Sequence, residues 1–446
     1  MTPPLAPAAP RLGALLFLPF LGFALTAGAA DWPHWRGPSF TGASPETNLP
    51  TGWSKTEKVA WVTPLPGPSA ATPVVAGAKV FLPSTDAANR TLLALALDRA
   101  TGRVAWQSTV AEGDHKDNLS NYASPSPVTD GQRVIFAYGN GDLVAFDFDG
   151  KELWRRNLQK DYGEFAYQWT PASSPTLHDG RLYLQILQRN EPVNGRGRTD
   201  GPIDSLVLAL DPATGKEIWR NVRPSEAAAE SHEAYSTPIP FNGAGRNEVL
   251  IVGGDCLTGH DAATGKELWR WGTWNPDRIG HWRLVPSPVA GGGVVLACGP
   301  KGSPVFAIRA GGNGVLPDSA IAWKTDQQRA VTSDVPTPAF YQGDFFVLSD
   351  VRKNLTRVDP ATGKVKWTLD TPGSAKYEAS PTAADGRIYL INFRGEVAIV
   401  DATEGKLLGT VPMADEGEDR IRSTVIAAQG HVFIRTNRKL YCLGAP

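Results

Sequence analysis

Asp211-Pro-Ala-Thr-Gly-Lys-Glu-Ile-Trp219 reads as a turn feeding a strand. Asp211 can accept hydrogen bonds from the turn's own backbone, Pro212 presets φ, and Gly215 supplies the positive φ on which the chain reverses. Lys216 to Trp219 then alternates polar and apolar, the pattern of a half-buried strand. The stretch recurs as Asp98-Arg-Ala-Thr-Gly-Arg-Val-Ala-Trp106, Asp261-Ala-Ala-Thr-Gly-Lys-Glu-Leu-Trp269 and Asp359-Pro-Ala-Thr-Gly-Lys-Val-Lys-Trp367. Shorter copies are Asp149-Gly-Lys-Glu-Leu-Trp154, Ile321-Ala-Trp323 and Asp401-Ala-Thr-Glu-Gly-Lys-Leu-Leu408. The chain is built of repeats.

A second marker, Ser/Thr-Pro, alternates with the first at Thr72, Ser126, Ser174, Thr237, Ser287, Thr337 and Ser380; at Ser423-Thr424 the proline is missing. A short β-rich strand follows each, then a third strand, then the Asp turn and the Trp strand. That spacing belongs to four-stranded propeller blades rather than to helical solenoids. Start markers give eight blades; seven is the alternative, because the repeat around Ala307 to Trp323 is degraded. The last blade ends at Cys442-Leu443 without a Trp strand, whereas Lys58-Val-Ala-Trp-Val-Thr-Pro-Leu65 is a Trp strand with no blade before it. Pairing the two closes the ring and leaves no free sheet edge. The expected fold is all-β, an eight-bladed propeller of antiparallel blades.

Bulk properties agree. The 446 residues include 46 Gly, 37 Pro and 14 Trp but 2 Met, as many short strands and tight turns require. A net charge of −1 gives no footprint for nucleic acid. Cys256, Cys298 and Cys442 match no metal, redox or disulfide spacing. Arg11, the apolar run Leu12 to Leu25 and the small residues up to Ala30 have the form of a signal peptide cut near Ala30–Asp31. An uncleaved anchor is the alternative. The mature chain has no stretch fit to span a bilayer as a helix. The division expected is a signal peptide at 1–30, an N-terminal extension at 31–52 and the propeller at 53–446. The extension opens Asp31-Trp-Pro-His-Trp-Arg-Gly-Pro38, aromatics suited to capping the fold more than to a site. Residues 189–204, polar and Gly-rich, read as a flexible surface loop.

The pattern Ser-Pro…Gly…strand…Ala-x-Asp-x-x-Thr-Gly-Lys-x-x-Trp resembles the pyrroloquinoline quinone (PQQ)-like β-propeller repeat, from about Trp53 to the end. That family includes quinoprotein dehydrogenases, secreted PQQ-binding-like propellers and the propeller subunit of the outer-membrane barrel-assembly machinery. The resemblance implies that Trp61, Trp106, Trp154, Trp219, Trp269, Trp323 and Trp367 dock between neighbouring blades. Gly409 stands where the seventh blade should carry its Trp, which implies a looser joint there.

Segments just before each innermost strand line one face around a propeller's channel. Here they carry Asn121, Tyr122, Glu164, Trp169, His232, Glu233, His281, Trp282, Arg283, Asp334, Tyr377, Glu378, Arg420 and Arg422. Such a set suits a polar ligand site or protein contacts; equally, its members can be struts that bridge blades and satisfy buried backbone groups. The favoured function is an exported binding or scaffold module that works through this face on an envelope protein. Two alternatives use the same face. One is a quinoprotein oxidoreductase with PQQ and calcium, with Trp169 or Trp282 as platform and Glu164, Asn121 or Glu233 as oxygen ligands. No adjacent cysteines and no Cys-x-x-Cys-His haem attachment accompany it. The other is a polysaccharide-binding accessory protein, favoured by the aromatic residues and tested at Trp282. His232-Glu233 with His281 makes a two-histidine metal site only if folding unites them, and Asp114-His115-Lys116-Asp117 reads as a solvated loop.

Overall fold

The computed structural model describes residues 1–3, 29–113, 115–243, 245–272, 274–326 and 331–444. Residues 4–28 of the expected signal peptide and Asp114 of the solvated loop lie outside the described residues.

Eight blades of four antiparallel strands form the ring, and the sheet of blade four carries a short fifth strand at its outer edge. Blade one comprises Val74–Ala76, Lys79–Asp86, Thr91–Asp98 and Val104–Glu112. Blade two starts at Val128–Thr129 and ends with Glu152–Asn157, and blade three runs from Thr176–His178 to Glu217–Val222. Blade four runs from Ile239–Gly243 to Glu267–Trp271, and blade five from Val289–Gly291 to Ile321–Lys324. Blade six runs from Ala339–Tyr341 to Val365–Asp370, and blade seven from Thr382–Ala384 to Leu407–Pro412. Blade eight takes Ile426–Ala428, His431–Arg435 and Lys439–Leu443 from one end of the chain and Val59–Pro64 from the other. Trp61 pairs with Cys442 and Thr63 with Leu440. The middle strands are buried throughout, while outer strands such as Val365–Asp370 alternate, so the core lies between blades.

The repeat's two conserved-looking ends are partners across blades. In the turn at Asp211, Oδ1 accepts from the backbone N–H of Thr214 and from its hydroxyl, 2.8 and 2.9 Å. Gly215 closes the turn at φ 68°, and the ring of Trp154 from blade two lies on it. Trp61 meets Gly102 in the same way, as do Trp106 and Gly150, Trp219 and Gly265, Trp323 and Gly363, and Trp367 and Gly405; a Cβ on any of these glycines would sit 2.3–2.7 Å from the ring. In five of these six the indole N–H also donates to the carbonyl one residue past the turn's Asp, which in blade two is Asp147: Trp61 to Arg99, Trp106 to Phe148, Trp154 to Pro212, Trp219 to Ala262, Trp323 to Pro360. Glycine is needed twice here, for φ and for room.

Two joints differ. Trp269 does not dock on a neighbour, contrary to the expectation for all seven tryptophans. Blade five lacks the Asp-x-x-Thr-Gly turn, so the indole turns inward and donates to Glu248 of its own blade at 2.7 Å. The degraded repeat instead lays Gly314–Val315 parallel along the outer strand of blade four, and Trp271, Trp274 and Phe306 pack together across the joint. At the seventh joint, Gly409 has no atom within 4 Å of where a Cβ would be. Trp53, the residue after the extension, fills that joint among Tyr389, Ile399, Met413, Tyr441 and Leu443.

The Ser/Thr of the second marker forms a belt. The Thr72 N–H donates to Ser126 Oγ, Ser126 to Ser174, Ser174 to Thr237, Thr237 to Ser287, Ser287 to Thr337, Thr337 to Ser380, and Thr424 to Thr72, all at 2.8–3.3 Å. Each hydroxyl thus satisfies an N–H that the innermost strand cannot pair.

Candidate functional site

All innermost strands run the same way, so the channel has two unlike ends. At the end where those strands finish, residues 31–49 lie across the opening. Trp32 pairs with Val75 of blade one, and the Pro33 carbonyl accepts from Thr129 of blade two. His34 Nε2 bonds the Leu177 carbonyl of blade three at 2.9 Å. The wholly buried Arg36 guanidinium donates to Pro338 and Pro381 carbonyls of blades six and seven, 2.6 and 3.0 Å. Glu46 accepts from Gly430 of blade eight. The capping role read for this segment is what its contacts perform. Trp35 stands in the channel itself, and burial pushes His34 down to about 4.

At the other end the segments before the innermost strands form a rim, and most of its charges are tied to one another. Glu233, fully buried, accepts from Arg189 Nε at 2.6 Å, Tyr235 OH at 2.6 Å and the Gln168 N–H at 3.0 Å. Burial raises its carboxyl pKa against the pull of these donors. Beside it a 3-10 turn, Ala229–His232, presents Glu230, which accepts from Trp169 Nε1 at 3.0 Å and faces Arg283 at 3.5 Å. Burial and Arg189 lower the adjacent His232. Across the ring, Arg422 pairs with Glu378 at 2.7 Å and lies over Phe393. Asp334 accepts from the Lys301 N–H and donates its own N–H to Asp350. Burial, with Asp334 and Glu378 nearby, pushes Asp350 up to about 6.

Other candidates are struts. Asn121 bonds the Pro68 carbonyl and the Ala123 N–H, and Tyr377 donates to Pro372. Tyr122 packs on His115. His281 is exposed and Trp282 half-buried against the core of blades three to five. Glu164 is not at the channel mouth. Its segment begins with a short helix, Leu158–Tyr162, capped by the Asn157 side chain. Glu164 is therefore still at the propeller's outer side, in a cavity of about 780 Å³ walled by residues 195–204 and the outer strand of blade three. Residues 189–204 are not an independent excursion: Arg189 reaches Glu233 and Arg196 reaches the Gln168 carbonyl. Arg189 and Glu230 were not singled out from sequence; the residue pair Glu230 and Glu233, one 3-10 turn apart beneath two arginines, was the available signal.

The axial channel is narrow. Its lining is the hydroxyl belt and the residues two positions before each belt member, among them Ala70, Ala172, Val285, Val335, Glu378 and Arg422, around about 140 Å³. Nearer blades eight, one and two, off the axis, the rim holds a polar recess of about 330 Å³.

Fold and joints define a propeller of PQQ-like repeats. The profile described as outer membrane protein assembly factor BamB matches residues 46–191, 93–328 and 203–445, and the chain belongs to that family. A polyvinylalcohol dehydrogenase from a Pseudomonas species is 26% identical over 215 residues, 47% of this chain and 30% of that protein, so the match spans under a third of the relative. Among solved structures, a europium-containing methanol dehydrogenase superposes with a TM-score of 0.65 at 11% identity, covering 93% of this chain and 98% of that one. BamB from Moraxella catarrhalis superposes with a TM-score of 0.57 at 11% identity, covering 86% and 97%. At such identities the superpositions carry the fold.

PQQ is a planar tricarboxylate quinone that asks for room, cations and a metal cage. The channel space falls below the usual size of a cofactor pocket, Trp35 stands in it, and its arginine is held by Glu378. Trp169 has its indole tied to Glu230, and the three cysteines are free, buried and apart. Among the described residues no group of three or more His, Cys, Asp or Glu could hold a metal ion. The axial residues do not fit the cofactor.

Proposed function

We propose that this chain is an exported binding module whose working surface is the rim, and that it engages a protein partner in the envelope. The observation that carries this reading is the state of the rim's charges: Glu233, Glu230 and Glu378 are each locked to arginines from other segments. Such pairs fix the geometry of a contact surface and occupy these three carboxylates. The far end is closed by the chain's own residues 31–49, so a partner meets the rim. Export rests on the leader-like form of residues 11–30. Among the described residues no helix is long and apolar enough to cross a membrane.

Photo-crosslinkers at His281 and Trp282, with Leu408 on the outer surface as control, test the reading in cells. One recurrent envelope-protein adduct from the rim positions and none from Leu408 is the expected result; adducts from Leu408 alone would refute it. The names of the curated relatives favour a second reading, a quinoprotein oxidoreductase. Titration of the folded chain with PQQ and calcium decides between them: no saturable heat is expected, and one tight site would replace the first reading with the second.

A further inference from the structure

Residues 65–73, between the last strand of blade eight and the first of blade one, are the shortest of the pre-strand segments. Their neighbours, 113–127 and 413–425, are longer. The short segment therefore becomes a floor of Pro68, Ser69 and Ala70, and the neighbours become walls. Arg420, at a left-handed φ of 58°, spans the gap and donates to the Asn118 carbonyl on the opposite wall. The result is the 330 Å³ recess, bridged at its top.

Its charges divide into used and unused. Asp117 accepts from the N–H groups of Leu119 and Ser120 and from the N–H and hydroxyl of Thr170. Arg422 is held by Glu378. Asn121 is spent on Pro68 and Ala123. The Lys116 ammonium is unpaired among the described residues, and the Arg420 guanidinium has one carbonyl for its five N–H donors. The Asn118 amide adds neutral donors and an acceptor; Asn437 Nδ2 donates to the Asp419 carbonyl and Ser120 Oγ to Ser124, so these two offer their oxygens, and the Asp419 carboxylate is the opposing charge that no bond consumes among the described residues. Among the described residues no aromatic side chain lines the recess.

We propose that the recess binds a small hydroxylated carboxylate of the sugar-acid class, its carboxylate between Lys116 and Arg420 and its hydroxyls on the amides. The inference rests on the rim being the working surface. The volume suits one or two sugar rings, and the Arg420 span leaves no open groove for a peptide to run through. The lining offers a neutral sugar no aromatic platform, so the carboxylate is the discriminating group.

Calorimetric titration of the full chain with galacturonate and digalacturonate, against galactose at equal concentration, tests it. Galacturonate is expected to bind about tenfold or more tightly than galactose. Arg420→Ala and Lys116→Ala should each weaken it by about the same factor with an unchanged melting temperature. Equal binding of galactose, undiminished binding by both variants, or displacement by a Glu-rich tetrapeptide at lower concentration than galacturonate would overturn the proposal. No galacturonate binding, with rim crosslinks intact, sinks the sugar-acid assignment alone. Binding without rim crosslinks leaves the assignment standing and removes the protein-partner reading.

Discussion

The joint between blades three and four and the joint between blades four and five begin with the same residue type and end in opposite arrangements. Trp219 lies on Gly265 of the next blade and donates to Ala262. Trp269, at the same place in the next repeat, points into its own sheet and bonds a carboxylate. The difference is set by the partner, since blade five has no Thr-Gly turn to receive an indole. A repeat residue takes its role from its neighbour as much as from its own blade. The seventh joint teaches the same lesson from the other side: the eighth blade's last two strands come from opposite chain ends, so no turn links them. There the Trp is gone too, and Trp53 supplies the aromatic bulk.

The largest expected effect is emptying a joint. Trp219→Ala and Trp53→Ala should each cost about 3–5 kcal/mol in chemical denaturation, as for other buried aromatics. A loss under about 1 kcal/mol at Trp53 would mean that the seventh joint does not depend on its substitute. Next is Gly265→Ala, which meets the Trp219 ring and a φ of 72°. Strain and overlap together should cost about 2–4 kcal/mol. In a Trp219→Ala background the backbone part and the overlap with the movable Asn221 amide should remain, about 1–2 kcal/mol; full additivity would break the pairing of Gly with Trp. Trp269→Phe strips a buried donor from Glu248 and should cost about 1–3 kcal/mol, against about 0.5–1.5 for Trp219→Phe, which frees only a carbonyl. Equal losses would erase the contrast between the two joints. Smallest is Gly409→Ala, expected within about 0.5 kcal/mol of wild type, whereas Gly405→Ala should behave like Gly265→Ala.

Much of this was legible before folding. The turn, the Trp strand and the Ser/Thr start marker are local, and eight start markers with one orphan strand at Lys58 to Leu65 define a closed ring. The strand at Asp142–Asp147 and the one at Lys439–Leu443 fall where the pattern puts them. What depended on a neighbour was hidden. Nothing within Asp261 to Trp269 says that the following blade lacks a turn. Nothing near Glu164 says that a helix capped by Asn157 delays the chain at the outer edge. Arg189 looked like the start of a polar insertion, because its partner Glu233 lies in the next pre-strand segment.

The pairing of Val59–Pro64 with Lys439–Leu443 also sets an order of events. Val59–Pro64 has no sheet until Lys439–Leu443 pairs with it. Residues 31–49 share that wait, since they need blades six, seven and eight. Joining the two ends closes a loop of nearly the whole chain, at an entropic cost of about 5 kcal/mol. The contacts of strand, cap and Trp53 together offset that loss. Partial chains therefore expose unpaired strand edges, and maturation is a threshold crossed at the final residues.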